Sequence, residues 1–143
     1  MITSYLGDIS VGDKHVSRAR TITETDLVSF AMVTGDWHPI HTDTEYAAAD
    51  PVYQGRIAHG ALVLSFALGL VTFWPPAMKA FYGIDRLRFT APVKSGSRLR
   101  ARFKLKELQP LEGGAQMTWD VTMECEGEAK PVLVAEWIGR RYV

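Results

Sequence analysis

Apolar and polar residues alternate strictly over two stretches in the second half of the chain. In "RLRARFKLK" (98–106) Leu99, Ala101, Phe103 and Leu105 share one face, while arginine or lysine fills the other. In "AQMTWDVTMEC" (115–125) Ala115, Met117, Trp119, Val121, Met123 and Cys125 share a face in the same way. A period of two is the pattern of a strand with one buried side. The "EGG" between them reads as a turn, so an antiparallel hairpin is predicted. A register that sets Lys104 opposite Asp120 also sets Arg100 opposite Glu124 and Arg98 opposite Glu126. The basic stripe is then a solvated, paired strand face rather than a ligand site. Further strands are expected near residues 16–22, 84–92 and 131–142.

The first half follows a helical period. Leu27, Phe30, Ala31 and Thr34 fall at helical spacing, Thr23 and Asp26 form a capping box, and Gly35 is a natural stop, which predicts a helix over 24–33. Pro39 pushes His38 toward extended backbone, so the residues around Asp36 and His41 are expected in a fixed irregular loop. Thr42 and Glu45 suggest a second capping box, opening a short helix closed at Asp50–Pro51. In "HGALVLSFALGLVTFW" (59–74) only Ser65 and Thr72 are polar between Ala61 and Phe73, so this helix is apolar all round and expected to be buried on every side. An antiparallel sheet curved around one apolar helix is the economical α+β solution. The free edges of such a sheet invite pairing with a second copy, hence a homodimer or a higher oligomer. Phe73, Trp74, Phe81 and Tyr82 most simply seal the core, though they suit the border of an apolar pocket as well; Tyr46 and Tyr53 share that ambiguity.

Composition narrows the function classes. The 143 residues make a single domain over 1–143, without repeat or linker. Sixteen basic residues balance sixteen acidic ones, so no global field recruits nucleic acid or an anionic membrane. The lone Cys125 cannot close an internal disulfide, and no stretch reads as a leader or a membrane span. A cytoplasmic protein whose function lies in a local site is the expectation.

The candidate chemistry is concentrated in "TGDWHPIH" (34–41). Taken alone, Asp36 after a helix-ending glycine suits a turn as readily as catalysis, and His41 suits an ordinary polar role. Three blocks in order change that: "SFAMVTGDWHPIHTDTEYA", "GRIAHGALVLS" and "LRFTAPVKSGSRL". Together they resemble the MaoC-like dehydratases, the (R)-specific enoyl-CoA hydratases of the hot-dog fold, over nearly the whole chain from about residue 7. The resemblance implies a catalytic pair at Asp36 and His41, and a Gly60 whose backbone N–H meets the thioester carbonyl of an acyl-CoA substrate. It implies an active site completed by a second subunit, and reversible hydration of a trans-2-enoyl-CoA to the (R)-3-hydroxyacyl-CoA without metal or redox cofactor. One departure is "DWHP" where the family often has "DxNP", which gives His38 a positioning role.

The residue types suit that chemistry. Hydrating an enoyl thioester needs a base for water, an acid for the α-carbon and donors for charge growing on the thioester oxygen. A carboxylate and an imidazole supply the first two. Gly60, at the positive end of the apolar helix, supplies an unpaired N–H and room for close approach. His59 reads as a supporting or helix-capping residue. Ser65 bonds its own backbone or a water. Arg86 and Arg88 are the candidates for the CoA phosphates. "HPIH" lacks the helical context and nearby cysteine of a zinc site, and no serine sits in a nucleophile elbow. A hot-dog thioesterase and a non-catalytic acyl-CoA-binding subunit are the competing readings.

Overall fold

The computed structural model describes residues 9–71 and 80–142; the expected roles of Phe73 and Trp74 lie outside them. In chain order the elements are β1 (Lys14–Val16), β2 (Arg20–Thr21), α1 (Glu24–Thr34), α2 (Pro39–Thr42), α3 (Thr44–Ala49), α4 (Gly60–Leu70), β3 (Ala80–Phe89), β4 (Arg98–Leu111), β5 (Gly114–Cys125) and β6 (Leu133–Tyr142). The strands form one antiparallel sheet of order β1-β4-β5-β6-β3, with β2 also on β4. It packs against α4 in the hot-dog arrangement.

The alternating residues of the hairpin are what the sheet buries. Leu99, Ala101, Phe103 and Leu105 of β4 and Met117, Trp119, Val121 and Met123 of β5 are all buried, and they meet Leu62, Val63, Phe66, Ala67 and Leu70 of α4. Each such apolar side chain contributes about 1.5–3 kcal/mol when withdrawn from water. The expected register holds, with Lys104 opposite Asp120 and Arg100 opposite Glu124, and Arg98 bonds Glu126 at 3.1 Å. The strand outruns its expected end through a bulge between Leu105 and Glu107. The extra residue reverses the parity, so Leu108 rather than Glu107 turns inward opposite Met117.

Several expectations are corrected. The strand near 16–22 is two short pieces, because the Ser17 hydroxyl takes the Ala101 N–H at 2.9 Å and the chain leaves the ladder behind it. The strand expected near 84–92 runs over Ala80–Phe89, and that expected over 131–142 begins at Leu133. The cap of α3 is Asp43, whose carboxylate accepts from Tyr46 N; Thr42 instead ends α2, its hydroxyl donating to the Trp37 and His38 carbonyls. Helix α4 is not buried on every side. Leu62, Val63, Phe66, Ala67 and Leu70 face the sheet, but Ala61, Ser65 and Gly69 are exposed at i, i+4, i+8, flanked by half-buried Leu64 and Leu68. Of the aromatics on edge strand β3, Phe81 is 40% exposed but packs edge-on against the buried Trp137 ring at 5.2 Å, whereas Tyr82 does not seal the core: it is 57% exposed beneath the Arg140 guanidinium. Among the described strands β3 pairs only with β6, so its outer edge is open.

Candidate active site

Three segments converge at the start of α4. Helix α1 forms as expected, with the reciprocal Thr23–Asp26 capping box, and stops where Gly35 takes the left-handed conformation at φ 77°. The chain is then turned by Asp36, whose Oδ1 accepts from His38 N at 3.2 Å. Pro39 does not keep the next residues irregular, as expected from the sequence. It opens α2, because a proline at the first helical position forfeits no hydrogen bond, and His38 caps that turn by accepting from Ile40 N at its Nδ1. His41 therefore projects from a fixed helical turn.

Ile57 anchors that turn to the strand-like lead into α4. Its N–H donates to Ile40 O at 3.2 Å, and its carbonyl accepts from His41 Nδ1 at 2.7 Å. Ala58 N in turn donates to Val93 O at 2.7 Å, and α4 begins two residues later at Gly60. The result brings Asp36, His41 and His59 together. Asp36 Oδ2 lies 3.9 Å from His41 Nε2 and 3.9 Å from His59 Nε2, and the two rings stack at 3.8 Å between centroids.

The hydrogen bonds fix the tautomers. A carbonyl oxygen only accepts, so the nitrogen facing it must carry the proton. His41 donates from Nδ1 to Ile57 O, which leaves its Nε2 lone pair directed at the Asp36 side. His59 donates from Nε2 to Asp36 O at 3.0 Å, which leaves its lone pair at buried Nδ1. Of two histidines equally distant from the carboxylate, only His41 presents a basic nitrogen to it. Burial pushes the His41 pKa below its ordinary 6.5; the Ile57 hydrogen bond opposes this, His59 adds to it, Asp36 opposes and His38 adds. Neutral imidazole is thereby favoured at neutral pH.

A pocket of about 290 Å³ adjoins the site, lined by Tyr53, Ile57, Gly60, Val63, Phe89 and Val132 among others. A cleft of about 340 Å³ near Arg98, Arg100, Glu124 and Glu126 is a surface furrow whose charges pair with one another. The ligating atoms of Asp36, His41 and His59 lie within 4.8 Å of one another, close enough to consider a metal ion. Rings stacked only 24° from parallel do not both aim in-plane lone pairs at one ion.

His59 stands at the N-cap of α4 but makes no side-chain cap hydrogen bond, because its ring is spent on Asp36 and His41. Ser65 donates to Ala61 O at 2.7 Å on the exposed stripe, as expected of a self-bonded serine. Arg86 adopts φ 53° beside a bulge and pairs with Glu136 at 2.8 Å, and Arg88 donates to Leu87 O. Neither contacts the Asp36 cluster. Sequence reasoning missed the Ile57 anchor, for which backbone carbonyls leave no signal. It also missed Phe30, whose helical spacing with Leu27 was visible and whose half-buried ring lies 5.0 Å from that of His59.

The chain has counterparts among known proteins. The model of the MaoC like domain matches residues 10–126. The chain is 41% identical to Nodulation protein N of Rhizobium leguminosarum bv. viciae, over 82% of this chain and 77% of that one. It is 42% identical to 3-hydroxyacyl-thioester dehydratase Z of Mycobacterium tuberculosis, over 84% and 82%. An (R)-specific enoyl-CoA hydratase of Rhodospirillum rubrum is 34% identical, over 77% and 75%. A solved structure titled as a monoamine oxidase regulatory protein from Archaeoglobus fulgius superposes with a TM-score of 0.88 at 33% identity, covering 97% of this chain and 94% of that one. With the family model matching residues 10–126 and relatives 34% to 42% identical over more than three quarters of the chain, the chain belongs to the MaoC-like dehydratase family.

Proposed function

We propose that the protein reversibly hydrates a trans-2-enoyl-CoA to the (R)-3-hydroxyacyl-CoA, with Asp36 and His41 as the catalytic pair and no metal or redox cofactor. The observation that carries this reading is the His41 Nε2 lone pair held 3.9 Å from Asp36 Oδ2. That gap is too long for a direct hydrogen bond, and it is about the separation of two acceptors that share the two hydrogens of one water. A water so held turns its oxygen lone pair toward C3 of the enoyl group. The C3–O bond forms as one O–H bond breaks, its proton passing to the Asp36–His41 pair, and the C2=C3 π electrons shift toward the thioester oxygen. The pair then returns a proton to C2, so the net change is addition of water. The charge on oxygen is met by the Gly60 N–H, unpaired at the first helical position and at the positive end of α4.

The pocket beside Gly60 suits the acyl chain, being lined mostly by apolar side chains. A relative named as a 3-hydroxyacyl-thioester dehydratase and one named as an (R)-specific enoyl-CoA hydratase support the substrate class. Both proton transfers pass through one side of the planar enoyl group, so hydrogen and hydroxyl add syn to a face set by the Gly60 contact. The working unit in this reading is a cytoplasmic homodimer. It uses the open edge of β3 and the exposed stripe of α4, and its second subunit closes the substrate cleft. No helix among the described residues is long and apolar enough to cross a membrane.

Crotonyl-CoA should lose its enoyl absorbance and give (R)-3-hydroxybutyryl-CoA, with sedimentation under the same conditions reading a dimer. The S product would overturn the substrate orientation. Release of free CoA in its place would make the protein a thioesterase, and a fully active monomer would remove the interface from the site.

The direction of the His41 shift gives a pH dependence. A base whose pKa is depressed below 6.5 is neutral and active above that lowered value. The rate constant kcat/KM should therefore rise through an acid limb centred below 6.5 and be flat through neutrality. The linkage has the same sign: His41 binds its proton more weakly folded than unfolded, so its contribution to stability is lost as pH falls from 6.5 through the folded value. An acid limb above 6.5 would exclude a buried neutral His41 as the base.

A further inference from the structure

We infer that His59 is the positioning residue of this site, fixing Asp36 through its backbone carbonyl and His41 through the face of its ring. This deepens the reading of Asp36 and His41 as the catalytic pair and rests on it.

The N-cap of a helix is where serine, threonine, aspartate or asparagine would satisfy an unpaired N–H. At this position α4 carries a histidine that caps nothing, is only 3% exposed and leaves its Nδ1 without a partner among the described residues. That arrangement forgoes stability at the start of the central helix, and buried polar atoms left unpaired call for a reason. The ring's contacts give one. It is held between Phe30 of α1, 5.0 Å away and tilted by 59°, and His41 of α2, 3.8 Å away and tilted by only 24°. Its Nε2–H meets Asp36 O at 3.0 Å. One side chain thus touches the backbone of the carboxylate residue and the ring of the imidazole residue, which lie on opposite sides of the 3.9 Å gap.

His59 is placed to hold rather than to carry a proton. Its single proton is engaged by a carbonyl, and its lone pair faces no donor or acceptor among the described residues, so no relay runs through the ring. The groups that face His41 are Asp36 and His38 from its own stretch of chain, the Ile57 carbonyl, and His59 from the start of α4. The ring of His59 covers one face of His41, so its removal lets water reach that imidazole.

Three variants separate the two contacts. His59→Phe keeps a ring and loses the donor, His59→Gln keeps an N–H donor and loses the ring, and His59→Ala loses both. For His59→Ala we expect kcat to fall by about 30- to 100-fold, as misplacement of a catalytic group by about 1 Å does, with KM within about twofold. His59→Phe and His59→Gln should each recover part of kcat. In the substrate-free protein, NMR titration of the His41 ring should show its pKa moved upward in His59→Ala and less so in His59→Phe. A His59→Ala protein with kcat within twofold of the parent and an unmoved His41 titration overturns the proposal. So does a loss in all three variants as deep as that of His41→Gln, which would make the His59 proton itself part of the reaction. Should His59→Ala fail to fold, the Phe and Gln variants decide alone. Should the parent protein show no hydration of enoyl-CoA, the catalytic reading fails while the His41 titration still tests the clamp.

Discussion

Asp36→Asn and His41→Gln should each slow hydration of an enoyl-CoA by about 10²- to 10⁴-fold, the loss expected when a general acid-base group is removed. Neither change should unfold the protein. Asparagine keeps an oxygen for the His38 N–H that Asp36 Oδ1 now accepts, and the Asp36 side chain is 53% exposed. Glutamine keeps an N–H for Ile57 O, but it has no lone-pair nitrogen with which to take a proton from water. The measurement is loss of enoyl absorbance at saturating substrate, beside a thermal melt. Near-normal turnover in either variant would remove that residue from the chemistry. His38→Asn is the internal control: its oxygen can accept from Ile40 N as Nδ1 does now, so the α2 turn survives and activity should fall far less. A loss as deep as that of His41→Gln would show that His38, rather than His41, faces the reacting water.

The parts of the structure that the sequence made legible are those governed by local periodicity. The hairpin register followed because cross-strand charge pairing and the buried face select the same alignment, and a one-residue slip would expose Trp119 and Phe103. The cap and stop of α1 followed from Thr23, Asp26 and Gly35, whose effects act within a few residues. The bulge at Lys106 was not legible, since parity changes only if Leu108 gains more by burial than the ladder loses, and that depends on the core residues it meets from elsewhere in the chain. The exposed stripe of α4 was hidden for a related reason. Alanine, serine and glycine read as apolar or neutral inside a hydrophobic run, yet at i, i+4 and i+8 they make a flat face that the sheet does not cover. At the site, the resemblance carried by the three sequence blocks implied Asp36 and His41, which their spacing alone did not. The tautomer that gives His41 the free lone pair came from the Ile57 carbonyl, which no side-chain pattern encodes.

Gly60→Ala should lower kcat/KM by about a hundredfold, the scale of a reacting group displaced by about 1 Å, while changing stability little. From the sequence, glycine at this position meant room for a thioester to approach a backbone N–H. The structure adds a second demand, because a Cβ at Gly60 would lie 2.9 Å from the ring of Phe89. Phe89 sits at the end of edge strand β3 and is 51% exposed, so the ring can swing outward instead of forcing α4 from the sheet. The cost falls on the pocket that Phe89, Tyr53 and Val63 enclose beside the N–H. The two demands separate in a double variant. If the glycine serves only to seat Phe89, Gly60→Ala combined with Phe89→Leu recovers most of the rate, since the shorter side chain clears the added methyl. If the glycine serves the substrate, Phe89→Leu alone stays active and the double variant remains as slow as Gly60→Ala. We expect the second outcome: in the proposed reading the thioester oxygen reaches the Gly60 N–H, and moving an aromatic ring on the sheet edge does not remove the methyl added beside that N–H.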